Sequence, residues 1–304
     1  MTSSEKKKLP IRDVARVTGV NPVTLRAWER RYGLVKPHRT AKGHRLYGDE
    51  QLQQIQQILT WLERGVAISQ VAELLRKEPT PTGAQSSVWQ QQRERFLFSL
   101  ARYDSRQLAS QYHELTALYP TPLICAQLFE PILVDLEQRP QGQYGQQLEK
   151  QFLLSWLQIQ LAARLAQEQE RNQGATLLLS NLSATPEPRL TLLALLLSGA
   201  GYRLVVLHGS LPISELLLLH ERRPLAALLL VGGQRLDTSL LERDLPRLSS
   251  QADFPLYASG PITEIHAAAL QAAHFSLLGS SPSQSLEQLQ NMTPALSATP
   301  GEPS

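Results

Sequence analysis

The last third of the chain alternates short apolar segments with stretches long enough to form a helix. Five segments are nearly continuous in apolar residues: TLLLSNL from Thr176, YRLVVLHG from Tyr202, AALLLVG from Ala226, PLYASGP from Pro255 and FSLLGSS from Phe275. Strands that are covered on both faces lack polar alternation, and parallel strands need crossover helices between them. The pattern therefore predicts an α/β domain over residues 174–291, with a doubly wound, parallel, five-stranded sheet of the Rossmann or flavodoxin-like type.

The middle of the chain has a helical pattern instead. Apolar residues recur at spacings of three and four, as at Phe96, Leu97 and Leu100 and again between residues 148 and 161. This period predicts a helical bundle over residues 88–173.

Three further segments are expected to lie outside compact domains. The stretch EPTPTGAQSS at residues 78–87 contains two Pro, a Gly and two Ser, which is typical of a linker. The polar residues 1–8 and the Pro-containing residues 292–304 are expected to be a disordered N-terminus and a flexible tail.

The first quarter of the chain carries the capping signals of two short helices. A helix over residues 11–18 is expected to end at Gly19, and Asn21 followed by Pro22 is a strong helix start. The second helix then runs to about Arg31. Two short helices joined by TGVN predict a helix-turn-helix.

A wing and two more helices are predicted after it. Residues 36–47 contain Gly and Pro and lack a helical period, which indicates a loop or small hairpin. Asp49 can cap a third helix to about Glu63, and residues 69–77 form a fourth. The region 9–77 is therefore predicted to be an all-α winged helix-turn-helix with a small wing.

Positive charge is concentrated in this same region. Residues 1–78 carry 15 Lys and Arg against 8 Asp and Glu, a net charge of +7, whereas residues 79–304 carry 15 against 19. A local basic surface raises the local concentration of phosphate-bearing partners. Together with the helix-turn-helix, this asymmetry predicts double-stranded DNA as the partner.

Nine side chains on the second helix and the wing are candidate DNA contacts. Leu25 and Tyr32 already supply much of the apolar side of the helix, so its cations are expected to face outward, toward phosphates and base edges. Basic residues around Gly43 are expected to enter a narrow minor groove. The alternative is that these are only a solvated face and a charged loop. The candidates are Thr24, Arg26, Trp28, Arg30, Arg39, Lys42, His44, Arg45 and Tyr47.

The run NPVTLRAWERRYGLVKPHRTAKGHRLYGDEQL resembles the N-terminal domain of the MerR family of transcription regulators, in its MlrA-like and CarH-like subgroup. The resemblance covers about Leu9 to Leu75. It implies that Thr24, Arg26 and Trp28 lie on the recognition helix. It also implies a homodimer on a pseudo-palindromic promoter site, because a two-fold DNA site requires a two-fold protein. A family member that activates also works with RNA polymerase at the promoter.

A helical bundle followed by an open α/β domain is similar to the cobalamin-binding module of CarH-type regulators. This resemblance implies a cobalt-ligating His in an Asp/Glu-x-His-x-x-Gly pattern after the first strand. Here Glu187 holds the acidic place, but Arg189 stands where the His is expected and Leu192 where the Gly is. A guanidinium keeps its proton and cannot coordinate cobalt.

The bundle motif of that module also departs from the pattern. The family has a Glu-His pair preceded by a Trp, whereas here Glu149 is followed by Lys150, and Arg139 occupies the Trp position. We therefore expect a cobalamin-binding-like domain with no bound cobalamin and no metal. The alternative is a cobalamin-dependent regulator that senses light or a metabolite.

Doubly wound sheets bind ligands in a crevice outside the carboxyl ends of the strands. In that crevice Arg189 could pair with the phosphate or carboxylate of a small anionic effector, and glycines could let the effector approach the backbone. The favoured alternative is that these are turn residues of a domain that has lost its ligand. The candidates are Ser183, Glu187, Arg189, Gly232, Gly233, Ser259 and Gly260.

Other classes of protein are disfavoured. The longest uncharged apolar run, residues 190–202, is shorter than the roughly 18 residues that a membrane span needs. The single cysteine, Cys125, fits a reducing compartment, so we expect a location in the bacterial cytoplasm, at the nucleoid. The chain shows no Gly-rich phosphate loop and no nucleophile with a base and an orienting group, so we expect no enzyme. The pattern leaves open whether dimers pair into tetramers, and whether the protein activates or represses.

Overall fold

The computed structural model describes residues 8–75, 88–139, 145–168, 170–222 and 224–292. The predicted linker at 78–87, residues 1–7 of the predicted disordered N-terminus and residues 293–304 of the predicted tail lie outside this described part. The chain divides into two compact units, residues 1–138 and residues 139–304.

The first unit combines short helices with a three-stranded sheet. A π-helical segment, Trp28–Tyr32, continues α2, and another, Cys125–Phe129, joins α7 to α8. The elements are β1 (Leu9–Pro10), α1 (Ile11–Thr18), α2 (Pro22–Ala27), β2 (His38–Arg39), β3 (Arg45–Tyr47), α3 (Asp49–Glu63), α4 (Ile68–Leu74), α5 (Val88–Ala101), α6 (Ser105–Leu118), α7 (Thr121–Ile124) and α8 (Glu130–Gln138).

The capping residues form the two helices of the helix-turn-helix as the sequence predicts. Helix α1 ends at Gly19, whose φ of 70° is a left-handed conformation that glycine adopts without steric cost. The Asn21 side chain accepts a hydrogen bond of 2.9 Å from the backbone N–H of Thr24, and Pro22 occupies the first helical position.

The predicted hairpin after α2 is also present. Strand β3 is the centre of an antiparallel sheet of order β1-β3-β2, in which Leu9 is opposite Tyr47 and Arg39 is opposite Arg45. The N-terminal strand thus ties the wing to the start of the domain.

The winged helix-turn-helix and helices α5 to α8 pack into one unit. The Trp89 indole on α5 is buried and donates a hydrogen bond of 3.4 Å to the carbonyl of Leu62 at the end of α3. Its ring lies 4.9 Å from the ring of Tyr119, which follows α6. The burial of large aromatic side chains such as these is a major favourable contribution to folding.

The second unit contains the α/β sheet. A π-helical segment, Leu240–Asp244, precedes α12. The elements are α9 (Gln146–Glu168), β4 (Thr176–Asn181), α10 (Pro188–Gly199), β5 (Arg203–Ser210), α11 (Ile213–Arg222), β6 (Ala227–Val231), α12 (Leu245–Gln251), β7 (Leu256–Ser259), α13 (Ile262–Ile265), α14 (Ala267–Ala272), β8 (Ser276–Leu277) and α15 (Pro282–Met292).

The five strands are all parallel, in the order β5-β4-β6-β7-β8, which confirms the predicted doubly wound sheet. Leu177, Leu178 and Leu179 on the interior strand β4 are fully buried, as expected for a parallel sheet that is covered on both faces. Such burial explains why the strands show continuous apolar runs.

Helix α9 belongs to this second unit, where it packs against α10. The sequence predicts one helical bundle over residues 88–173, but the structure divides these helices between the two units. Within the described residues, no helix combines the length and the apolar character needed to cross a membrane.

Candidate nucleic-acid interface

Two predicted cations of the recognition helix are exposed. Arg26 lies on α2 and Arg30 on its π-helical continuation, four residues apart, so both side chains occupy one side of the helix. Neither forms an ion pair with a carboxylate of another described residue. They present two unneutralised positive charges to solvent.

The tip of the wing presents further positive and polar groups. The backbone N–H of Gly43 donates to the carbonyl of Thr40 at 2.8 Å, and the N–H of His44 donates to the Thr40 hydroxyl at 3.1 Å. The φ of Gly43 is +80°, which this tight turn requires. Lys42 and His44 are exposed at the tip.

Thr24 and Trp28 are buried, which corrects their prediction as DNA contacts in this conformation. The Thr24 hydroxyl donates to the carbonyl of Thr116 at 3.2 Å, and the Trp28 indole N–H donates to the carbonyl of Leu118 at 2.9 Å. Both side chains have 0% exposure. The end of α6 thus covers this side of the recognition helix, a packing that no local pattern in the sequence predicts.

Tyr47 is likewise buried, at 1% exposure, although it was predicted as a wing contact. Side chains alternate along a strand, and Tyr47 lies on the inward side of β3. Burial raises the pKa of its phenol. Its role is therefore in the core beneath the wing.

The remaining two wing arginines share one carboxylate. Arg39 donates to Oε1 of Glu29 at 2.8 Å, and Arg45 donates through Nε to Oε2 of the same residue at 2.5 Å. The Arg39 side chain stays 52% exposed, whereas those of Arg45 and Glu29 are only 15% exposed. No sequence signal singles out Glu29, because an acidic residue in a basic segment has the pattern of an ordinary solvated charge.

The ion pairs determine the charge state of Glu29. Burial by itself raises the pKa of this carboxyl, but hydrogen bonds from Arg45 and Arg39 and their positive charges lower it, and the net pKa is below the usual value. Glu29 is therefore ionised at neutral pH.

The structure defines a cationic surface made of exposed basic side chains from two elements. Its helix part faces solvent beside the wing, in the same compact unit. The cationic surface consists of Arg26, Arg30, Arg39, Lys42 and His44.

The predicted effector crevice of the second unit is filled by its own side chains. Arg189 and Glu187 are both buried, and their side chains form an ion pair of 3.1 Å, so the guanidinium charge is compensated within the domain. A Cβ atom on Gly233 would clash with Oε2 of Glu187. The absence of a side chain at Gly233 therefore accommodates Glu187, and the predicted role of Arg189 as an open anion partner does not match this geometry.

The other crevice candidates also have internal partners. The Ser183 hydroxyl accepts from the N–H of Gly233 at 3.1 Å, and the hydroxyls of Ser259 and Ser285 lie 2.7 Å apart. A Cβ on Gly260 would lie 2.6 Å from the carbonyl oxygen of Gly232. These contacts support the interpretation of the crevice residues as turn residues.

The two short helices, the antiparallel wing and the exposed cations define a winged helix-turn-helix protein. The family model described as "MerR HTH family regulatory protein" matches residues 9–78. The HTH-type transcriptional regulator MlrA of Escherichia coli (strain K12) is 34% identical over 202 residues, which cover 66% of this chain and 80% of that relative. The chain belongs to the MerR family of transcription regulators.

A second relative and two solved structures match at lower identity. The HTH-type transcriptional repressor CarH of Myxococcus xanthus is 31% identical over 138 residues, which cover 41% of this chain and 45% of the relative. A cobalamin-binding protein from Desulfitobacterium hafniense DCB-2 aligns at 9% identity and a TM-score of 0.35, over 64% of this chain and 96% of that one. The methanol:cobalamin methyltransferase complex MtaBC of Methanosarcina barkeri aligns at 11% identity and a TM-score of 0.36, over 79% of this chain and 94% of that one.

Proposed function

We propose that the protein binds double-stranded promoter DNA sequence-specifically as a homodimer, through the cationic surface. The observation that carries this proposal is the exposure of Arg26 and Arg30 on the recognition helix together with Lys42 and His44 at the tip of the wing. A helix of this kind fits the major groove, and a basic wing fits the adjacent backbone and minor groove. The protein then acts as a cytoplasmic transcription regulator at the nucleoid, and works with RNA polymerase if it activates.

The test is selection of binding sites by the full-length protein from a random pool of DNA duplexes. Enrichment of an inverted repeat supports the proposal, because two copies of one recognition helix contact two equivalent half-sites. Recovery of no enriched sequence, or of a site without two-fold symmetry, contradicts it.

We also propose that the second unit works as an assembly and regulatory domain without bound cobalamin, and that the protein is no enzyme. In the first turn of α10, Arg189 stands where the resemblance implies the cobalt-ligating His, and it is buried and paired with Glu187. The imidazole of His266 also has a partner within the domain, since its Nε2 accepts a hydrogen bond of 3.0 Å from the backbone N–H of Leu236. The residues present do not fit a cobalt ligand set.

Spectroscopy distinguishes this proposal from the cobalamin-sensing alternative. The purified protein is mixed with adenosylcobalamin in the dark and passed through a desalting column, and the visible spectrum of the protein fraction is recorded. A colourless fraction supports the proposal. Retained corrin absorbance at a stoichiometry near one per chain contradicts it and favours a cobalamin-dependent regulator.

A further inference from the structure

The wing places two positive charges directly opposite each other. Arg39 on β2 and Arg45 on β3 are cross-strand partners in the antiparallel pair. Like charges at directly opposed positions destabilise a sheet. The hairpin also pairs only two residues of β2 with β3, so its own backbone hydrogen bonds hold it weakly.

Glu29 offsets this repulsion from outside the hairpin. It lies on the π-helical continuation of α2, and its two carboxylate oxygens each accept a hydrogen bond from one of the two arginines, at 2.8 Å and 2.5 Å. Hydrogen bonds between ionised groups are the stronger kind. A single side chain thus joins the recognition helix to both strands of the wing.

We propose that Glu29 is a positioning residue for DNA binding, which fixes the wing relative to the recognition helix and aims Arg39 outward. The contact with Glu29 engages one terminal nitrogen of Arg39, whose side chain remains half exposed. The Arg45 side chain is only 15% exposed, and its ion pair with Glu29 lies beneath the wing. This inference rests on the proposed function, because positioning has meaning only if the cationic surface binds DNA.

The proposal and simple electrostatics predict opposite effects for the same substitution. A carboxylate beside a DNA-binding surface repels phosphates, so its removal alone strengthens binding and leaves the salt dependence unchanged or steeper. If Glu29 positions the wing, its removal frees two repelling arginines, costs conformational entropy on binding and reduces the number of phosphates contacted.

The experiment measures the affinity of Glu29→Gln for a duplex that the wild-type protein has selected, over a series of salt concentrations. We expect affinity to fall by about tenfold and the slope of log affinity against log salt to become shallower by about one. Glu63→Gln is the matched control, since it removes one negative charge at an exposed residue of the same unit. It is expected to leave both quantities nearly unchanged.

Two further variants keep the result interpretable. Glu29→Asp retains the charge but shortens the side chain, so the carboxylate cannot reach both arginines, and we expect an affinity between those of wild type and Glu29→Gln. Arg39→Gln in the Glu29→Gln background removes the repulsion between Arg39 and Arg45. We therefore expect Arg39→Gln to lower the affinity for the duplex less in this background than in the wild-type protein. If Glu29→Gln folds poorly, Glu29→Asp still tests the proposal against wild type alone, and an affinity equal to that of wild type overturns it.

Equal or tighter binding by Glu29→Gln, with an unchanged salt slope, overturns the positioning role while leaving the proposed function intact. If the wild-type protein selects no duplex, it is the proposed function that fails. The two failures are therefore distinct.

Discussion

Arg26 and Arg30 bring positive charge to the surface of the recognition helix, and neither has an ion-pair partner in the described part of the chain. Arg45 differs in this respect, because Glu29 engages it beneath the wing. At the scale of single residues, exposure and partner therefore decide which cation is available to a phosphate.

Arg30→Ala is expected to weaken binding to the selected duplex and to reduce the salt slope by about 0.9, because about one phosphate contact is lost. Folding stability should remain within about 0.5 kcal/mol of wild type, since Arg30 is exposed. Affinity titrations over a range of salt concentrations check this. Arg106→Ala, an exposed position on α6, is the control, and an equal loss in both variants contradicts a specific role for Arg30.

Glu29 also makes stability depend on pH. Its pKa is lowered in the folded protein, so its ion pairs contribute full stability above the usual value near 4.5, and this contribution is lost as pH falls through the lower folded pKa. Wild type should therefore unfold at a higher temperature than Glu29→Gln at pH 7, and the difference should shrink below pH 4.5. Thermal unfolding at both pH values checks this; a difference that does not change with pH argues against the ion pairs.

The buried pair of Glu187 and Arg189 should behave as one group. Arg189→Met leaves a buried carboxylate without its ion-pair partner and is expected to cost about 3–5 kcal/mol, whereas Glu187→Gln combined with Arg189→Met recovers much of this loss. Denaturant unfolding measures both. Arg243→Met, which removes an exposed pair with Asp244, should show no measurable change. Additive losses in the double variant would exclude coupling.

At the scale of elements, α2 and α6 share a face. Thr24 and Trp28 each donate a hydrogen bond to a backbone carbonyl near the end of α6, although 90 or more residues separate the partners in the sequence. This packing holds the recognition helix against the helices that follow the predicted linker. It also removes two predicted DNA contacts from the surface in this conformation.

Trp28→Phe is expected to destabilise the protein by about 1–2 kcal/mol, because the Leu118 carbonyl loses its donor and the buried site loses volume. The shift of the unfolding midpoint in urea measures this loss of stability. Trp61→Phe is the matched control: Trp61 is half-buried on α3, and its ring is contacted by the Arg64 guanidinium at 5.3 Å from the centroid. Similar losses for the two variants would indicate that the contact with α6 contributes little.

At the scale of the whole molecule, the proposed function requires two chains on one DNA site. We expect analytical ultracentrifugation to show a 2:1 complex of protein and selected duplex, with both half-sites protected in a footprint. A duplex with one half-site scrambled should bind much more weakly. A stable 1:1 complex of full affinity would contradict the dimer.

The helix-turn-helix, the wing and the parallel sheet could be predicted because their signals are local. Asn21 and Pro22 start α2, Gly19 ends α1, and continuous apolar segments form the buried strands. The burial of Thr24, Trp28 and Tyr47 could not be predicted, because a polar or aromatic residue in a basic segment fits a surface or a core equally well.

The sequence by itself determined the family, the helices of the helix-turn-helix, the five parallel strands and the concentration of charge in the first quarter of the chain. These depend on residue types at short spacings, where capping, period and net charge act directly. Only the tertiary structure decided that α6 covers one side of the recognition helix, that Glu29 joins two arginines of the wing, and that Glu187 lies against Gly233. Such contacts arise between distant segments, because side-chain packing and charge compensation depend on which surfaces the fold brings together.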